Sequence, residues 1–167
     1  MQTGWQLVNG AWYYFNAGGE MVTGWQYING TWYYFMSGGN MAAGSWQVIS
    51  GAWYYFNSSG AMVTGWQYIN GTWYFFTSGG TLVSSSWQYI NGSWYYFKDS
   101  GAMASGEWCN GYWLNPDGKW IYLYQGSWVK DSNGKWWFGD TSGWYAQSST
   151  VRIDGTLYTF GVDGYLK

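Results

Sequence analysis

The stretch "GWQYINGTWYYF", residues 24–35, decides the fold. It is crowded with aromatic rings and carries no charge. Asn29-Gly30 separates two runs of aromatic and β-branched residues. An Asn-Gly pair in that setting suits a two-residue type I′ turn, because both central positions need φ > 0. With the turn there, Ile28 faces Thr31, Tyr27 faces Trp32, Gln26 faces Tyr33 and Trp25 faces Tyr34. Cross-strand partners share a face, and faces alternate along a strand. Trp25, Tyr27, Trp32 and Tyr34 then form one face, an aromatic wall. Gln26, Ile28, Thr31, Tyr33 and Phe35 form the other.

Near-copies of this hairpin run along the chain. Its first tryptophan recurs as Trp5, Trp25, Trp46, Trp66, Trp87, Trp108 and Trp128, in steps of 20 or 21 residues. A fixed period in this range marks an array of one supersecondary unit. In the first five units a second tryptophan follows seven residues later: Trp12, Trp32, Trp53, Trp73 and Trp94. Met21, Met41, Met62, Leu82 and Met103 close these units. An isolated hairpin is marginal in water, so each must bury surface on its neighbours. The expected fold is all-β, a solenoid of stacked β-hairpins with about 20–21 residues per repeat. Gly-rich connectors such as "SGGNMAAG" (37–44) permit the sharp returns between hairpins.

The repeats divide the chain into three stretches. Residues 1–107 hold five regular aromatic hairpins. Residues 108–149 hold irregular ones: in "WCNGYWLNPDG" the tryptophans are five apart, and in "SWVKDSNGKWWFGDTSGWYAQS" Trp136 follows Trp128 by eight. Trp108 and Trp113 are expected on one face around Asn110-Gly111, and no cage geometry is read beyond Trp113. Residues 150–167 form a terminal capping hairpin. At the other end, "MQTGW" matches "MVTGW" at 21–25, so the register predicts that the chain opens inside a longer array, after an upstream part. A missing secretory signal is then no argument against export.

Composition excludes several classes of function. Aromatic residues make up 26% of the chain and charged residues 8%, the reverse of a disordered segment. The net charge of −2 offers no basic stripe, which argues against nucleic acid even though rings stack on bases. No apolar run approaches the ~18 residues of a membrane helix, so no membrane insertion is expected. Histidine is absent and Cys109 stands alone, which leaves no intramolecular disulfide, no metal cluster and no commonplace general base. Asp131, Asp140, Asp154 and Asp163 lie in turn-like contexts. Glu20 and Glu107 read as linker surface, so the carboxylate pair of a glycosidase is missing. The chain reads as no enzyme, without cofactor.

The walls of the regular units are Trp5, Trp12 and Tyr14; Trp25, Trp32 and Tyr34; Trp46, Trp53 and Tyr55; Trp66, Trp73 and Phe75; and Trp87, Trp94 and Tyr96. Two readings stand side by side. Rings at strand spacing are ordinarily core, and Tyr33 and Phe35 with their equivalents are expected to supply it. The wall itself is either packing or a ligand surface. The last hairpin, "TVRIDGTLYTF" (150–160), bears on the choice. It keeps the turn as Asp154-Gly155 and keeps Tyr158 and Phe160. It replaces the wall with Thr150, Arg152, Leu157 and Thr159. A cap with no successor would lose the wall if the wall faces a ligand held between units, although capping alone also predicts polar replacements. Three or four rings around a small space make a cage for a cation, best matched by a quaternary ammonium. At roughly 0.5–2 kcal/mol per ring, three rings give an affinity on the order of millimolar. Several sites meeting several ligands on one polymer raise the avidity.

The stretch "TGWQYINGTWYYFMSGGNM" (23–41) resembles the choline-binding repeat, or cell wall-binding repeat, of Gram-positive surface proteins and phage lysins. The likeness is close over 1–107 and loose over 108–167. It implies a left-handed β-solenoid with choline, the phosphocholine of wall teichoic acids, held between consecutive hairpins. Carried over by position, the cages would draw on the five wall sets above and on Trp108 and Trp113, with Met21, Met41, Met62 and Met103 nearby. Phe75 stands where the other units have tyrosine, and still offers a ring. Leu82 and "SSSW" (84–87) depart from the pattern. The resemblance also implies secretion to the bacterial cell surface and allows a homodimer through the C-terminal hairpins. Glucan-binding repeats of extracellular glucansucrases and clostridial toxins are similar too, with "GW" and "YYF" at a similar period. They make carbohydrate binding the alternative. The doubled tryptophan of each unit favours the choline cage, since the wall lacks the polar side chains that usually surround a sugar platform.

Overall fold

The computed structural model describes residues 2–121, 126–140, 143–154 and 156–167. These residues contain strands and turns and no helix. Five regular hairpins come first. They are β1 (Gly4–Val8) with β2 (Ala11–Phe15), β3 (Gly24–Ile28) with β4 (Thr31–Phe35), β5 (Ser45–Ile49) with β6 (Ala52–Phe56), β7 (Gly65–Ile69) with β8 (Thr72–Phe76), and β9 (Ser86–Ile90) with β10 (Ser93–Phe97). A three-stranded sheet follows, of β11 (Glu107–Cys109), β12 (Tyr112–Leu114) and β13 (Trp120–Ile121). Two further hairpins pair β14 (Ser127–Lys130) with β15 (Trp136–Gly139), and β16 (Thr150–Ile153) with β17 (Thr156–Thr159). The chain is an all-β array of hairpins. It falls into two compact units, one reaching to Tyr89 and including Tyr96–Ala104, the other made of Ile90–Tyr95 and the residues from Ser105 onward.

The expected register holds. Trp25 pairs with Tyr34, Gln26 with Tyr33, Tyr27 with Trp32 and Ile28 with Thr31. Asn29 and Gly30 take φ of 50° and 83°, the pair of positive values that a type I′ turn requires. Asn9, Ser50, Asn70, Asn91, Asn110 and Asp154 repeat the first of these angles. Gly155, the second residue of the last expected turn, and Met1, on which the register of the opening segment rests, lie outside the described residues.

After each hairpin the chain returns as a short third rung. Phe35 bridges Met41, Phe56 bridges Met62 and Phe76 bridges Leu82. The same residues tie each hairpin to the one before. The N–H of Met41 donates to the carbonyl of Trp12 (2.8 Å), that of Met62 to Trp32 (2.9 Å), that of Leu82 to Trp53 (2.9 Å) and that of Met103 to Trp73 (2.8 Å). Within the first unit the hairpins are therefore joined in sequence by backbone bonds as well as by side chains.

The faces meet in one sense. Within the first unit the wall of one hairpin lies on the opposite face of the next. Trp25 stands 4.9 Å from Tyr54 and 5.6 Å from Phe56 of the following hairpin, measured between ring centroids. Trp5 repeats this on Tyr33 and Phe35, and Trp46 on Tyr74 and Phe76. The phenylalanine that ends each second strand carries the core: Phe35, Phe56, Phe76 and Phe97 are wholly buried. Ile28, Ile49 and Ile69 lie on the same face and are buried beside them. Tyr33 and its equivalents, expected in that core, are only half-buried. They sit at the margin, edge-on to the preceding tryptophan.

The glycine before each closing rung is a packing requirement. Gly39, Gly60 and Gly80 have φ of 82°, 81° and 80°. A Cβ on Gly60 would lie 2.3 Å from the sulfur and terminal methyl of Met41. Gly24 also has positive φ, at 71°, but faces open space. Gly60→Ala is expected to cost the backbone strain plus an overpacking penalty of about 1–3 kcal/mol, whereas Gly24→Ala pays the strain alone. Urea midpoints of the two variants check this; equal losses would remove the seat of Met41 as a factor.

Candidate functional site

The site is assembled from two hairpins at a time. Trp46 and Trp53 come from one strand pair, where the register places them on one face, at 6.3 Å and nearly perpendicular. Tyr74 comes from the next hairpin and meets Trp46 at 5.0 Å. Leu82 is brought in by its backbone bond to the Trp53 carbonyl. Together with Gly51, Ala52 and Thr81 these residues line an open cleft of about 540 Å³. Trp53 is half exposed, so its ring is presented and not packed away.

The same arrangement recurs. Trp5 and Trp12 stand 6.2 Å apart, with Tyr33 and Met41 added from the next hairpin. Trp25 and Trp32 stand 6.1 Å apart, with Tyr54 and Met62 added. Trp66 and Trp73 stand 6.1 Å apart, with the Met103 backbone at Trp73. Trp87 packs on Tyr96 at 5.2 Å, and Trp94 is half exposed at the hairpin tip.

The rings beside each tryptophan pair come from two hairpins. Tyr14, Tyr34, Tyr55 and Phe75 share the wall face with the tryptophans, as the register dictates, but they turn inward onto the core. Tyr14 meets Phe35 at 6.5 Å, Tyr34 meets Phe56 at 6.3 Å and Phe75 meets Phe97 at 6.1 Å. The ring that lines the cleft of Trp46 and Trp53 from the far face of the next hairpin is Tyr74, and Tyr33 and Tyr54 stand in the same relation to Trp5 and Trp25. The methionines follow the same logic. Met41, Met62 and Met103 each bond through the backbone N–H to the outer tryptophan of the hairpin before them. Met21 follows the first hairpin of this sequence and lies against Gly39, 43% exposed.

Beyond the regular repeats the arrangement reappears where no cage was read. Trp128 and Trp136 lie 6.5 Å apart at 86°, and Trp128 meets Tyr158 at 4.8 Å and Phe160 at 5.8 Å. The Leu166 N–H donates to the Trp136 carbonyl at 2.8 Å, as Met62 does to Trp32. Trp136 and Leu166 line a cleft of about 440 Å³ with Lys135, Asp163, Tyr165 and Lys167. The spacing of eight arises because the turn is a five-residue loop, Asp131 to Lys135, with Lys130 facing Trp136 across it. The loop is longer than the regular two-residue turn and one strand pair is lost, so the net spacing grows by one and both tryptophans stay on one face. Tyr158 of the last hairpin keeps the ring contact with Trp128 that Tyr54 makes with Trp25.

Trp108 and Trp113 pair directly across the strands at 5.4 Å, on one face as expected. The shortened strands leave three residue pairs where the regular hairpins have five, and the outer tryptophan position is lost. This pair is a two-ring platform, with Leu114 buried in the place of phenylalanine.

The carboxylates of the C-terminal stretch serve turns. Asp131 accepts from the N–H groups of Asn133 (2.8 Å) and Lys135 (2.9 Å), and Asp140 from that of Trp144 (3.1 Å). The Lys135 amide, followed by the Tyr165 hydroxyl and the Asn133 amide, holds Asp131 below its ordinary carboxylate value. The lowered folded pKa means that its contribution to stability is complete above the unfolded pKa of about 4 and is lost as pH falls through the folded value. Asp131→Asn is expected to flatten the acid limb of stability below about pH 4. Chemical denaturation at two acidic pH values measures it, and an unaltered acid limb would refute it. Among the described residues no cluster of three or more histidine, cysteine or acidic side chains could hold a metal ion.

Comparison with known proteins follows the repeats. A family model described as "choline-binding repeat" matches residues 2–46 and 42–87, and one described as "putative cell wall binding repeat" matches residues 85–103. Choline binding protein F from Streptococcus pneumoniae, solved in the presence of a peptidoglycan analogue, is 36% identical over 99% of this chain, with a TM-score of 0.68. CbpJ from Streptococcus pneumoniae TIGR4 is 35% identical over 99% of the chain, with a TM-score of 0.69. The chain spans 58% of the length of each of these two. It spans 98% of the choline-binding domain of CbpL from Streptococcus pneumoniae, which is 33% identical over 100% of this chain, with a TM-score of 0.63. No curated protein matches the chain significantly.

Proposed function

This chain belongs to the choline-binding repeat family, and we propose that it is a non-catalytic module that tethers a longer protein to the Gram-positive cell wall. It does so by holding the choline groups of wall teichoic acids in the clefts between consecutive hairpins. The observation that carries this reading is the repeated cleft itself. Trp46 and Trp53 present two perpendicular rings, Tyr74 a third, and Leu82 an aliphatic wall. A trimethylammonium group donates no ordinary hydrogen bond, so it loses little on leaving water for such a box. The ring faces supply the negative potential that a cation needs.

The same geometry recurs at Trp5 with Trp12, at Trp25 with Trp32 and at Trp128 with Trp136. Each site alone is weak, on the order of millimolar. A polymer that carries many choline groups would engage several at once and be held far more tightly. Catalysis is left to whatever the module is joined to.

Calorimetric titration of this chain with choline, with dextran and glycerol in parallel, tests the proposal. Saturable millimolar binding of choline at several sites per chain, with no response to dextran, is the expected outcome. Dextran binding without choline binding would turn the module into a glucan reader. A flat response to both would leave the rings as packing.

A further inference from the structure

The cleft between the third and fourth hairpins carries a charge in its lining. Its lining includes a carboxylate, Asp99, together with Ser84 and Ser100. Asp99 lies two residues after Phe97. The residues two after Phe56 and Phe76 are Ser58 and Ser78, both neutral. Lys98, the neighbouring cation in the chain, does not line the cleft.

The carboxylate is held in place. The Ser85 hydroxyl donates to Asp99 Oδ1 at 2.7 Å. Ser85 occupies the base of its hairpin with φ of 48°, the left-handed region in which Gly44 and Gly106 stand at the matching points, and which Ser148 also adopts. The backbone task is the same in all: Ser85 donates to the Lys98 carbonyl, Gly44 to that of Asn57 and Gly106 to that of Asn115. A side chain is strained in that region. At Ser85 it carries the hydroxyl that fixes Asp99.

We propose that Asp99 makes this cleft charge-selective, favouring an organic ammonium with no adjoining anion over one joined to a phosphate. The inference rests on the reading that the clefts hold quaternary ammonium groups. Rings respond to the cationic head whatever is attached to it. A carboxylate responds to the whole ligand, attracting choline and repelling the phosphate of phosphocholine. Exposed charge pairs are weak, so the extra preference for choline over phosphocholine should be about two- to five-fold. It should shrink as salt is raised.

The test reads the clefts separately, in the full chain, from the indole N–H resonances of Trp25 and Trp32 and of Trp46 and Trp53. Each set is titrated with choline and with phosphocholine, at low and high salt. The Asp99→Asn variant removes the charge and keeps an oxygen acceptor for Ser85. In the wild type, the ratio of phosphocholine Kd to choline Kd is expected to be about two- to five-fold larger at Trp46 and Trp53 than at Trp25 and Trp32. In Asp99→Asn, or at high salt, the two ratios are expected to converge. Equal ratios in the wild type, or a difference that survives Asp99→Asn, would overturn the selectivity while leaving the cages intact. Failure of choline to shift either indole set would overturn the cage reading and this inference with it.

Discussion

Phe56→Ala is expected to cost about 3–5 kcal/mol, the range for emptying a fully buried aromatic site. Phe56 has no exposed surface. It is enclosed by Ala42, Ile49 and Met62 and by the rings of Trp25 and Tyr34 of the preceding hairpin. Removing it opens a cavity at a junction, so the loss falls on the coupling between two hairpins as well as within one. In a repeat array that coupling is what holds each marginal unit folded. Against a total stability of about 5–15 kcal/mol for an ordinary domain, the loss is large. Phe15→Ala makes the comparison, because Phe15 is only half-buried and should cost distinctly less. Urea denaturation followed by tryptophan fluorescence reads both. Equal costs would mean that the phenylalanine ladder is not the core it forms in the structure. A split transition in Phe56→Ala would show the two sides of the junction unfolding separately.

The hairpins were legible because their signals are local. Asn29-Gly30 admits essentially one turn, the turn sets the register, and the register sorts Trp25, Trp32 and Tyr34 from Ile28, Tyr33 and Phe35. Burial of Phe35 and its equivalents followed from the need to cover some face in a chain poor in aliphatic residues. The completion of the site was not legible in that way, because it depends on how one hairpin lies on the next. A register assigns Tyr34 to the tryptophan face, yet it cannot show that the ring at the base of the hairpin turns toward Phe56 while Tyr54 of the next hairpin meets Trp25. One signal was available. The last hairpin drops every wall residue and retains Tyr158, which marks that position as serving the hairpin before it. The pairing of Trp128 with Trp136 was missed for a related reason. No cage was read beyond Trp113 because the units there lose the regular spacing, when the physical condition is that both side chains share a face. The loop from Asp131 to Lys135, closed by Asp131 on two backbone amides, satisfies that condition at a spacing of eight.

These two assignments of the third ring make different predictions for binding. Trp32→Ala is expected to weaken choline binding at the second cleft about tenfold or more, the upper range for loss of one cation–π partner. The fold should survive. Trp32 is 44% exposed, its ring rests on Trp25 and Tyr27, and the bond it accepts from Met62 is a backbone one that alanine retains. Tyr54→Leu is expected to weaken the same cleft several-fold, because leucine keeps some apolar bulk but brings no ring face to the cation. Tyr34→Leu, made on the neighbouring wall position, should lower stability through its contact with Phe56 and leave the choline affinity of that cleft close to wild type. The Trp25 indole N–H resonance, followed through a choline titration of each variant, separates the cases. If Tyr34→Leu weakens binding as much as Tyr54→Leu, the ligand lies deeper along the wall than the cleft geometry places it. If Trp32→Ala binds as wild type does with its near-ultraviolet dichroism intact, the exposed tryptophan is not a cage wall.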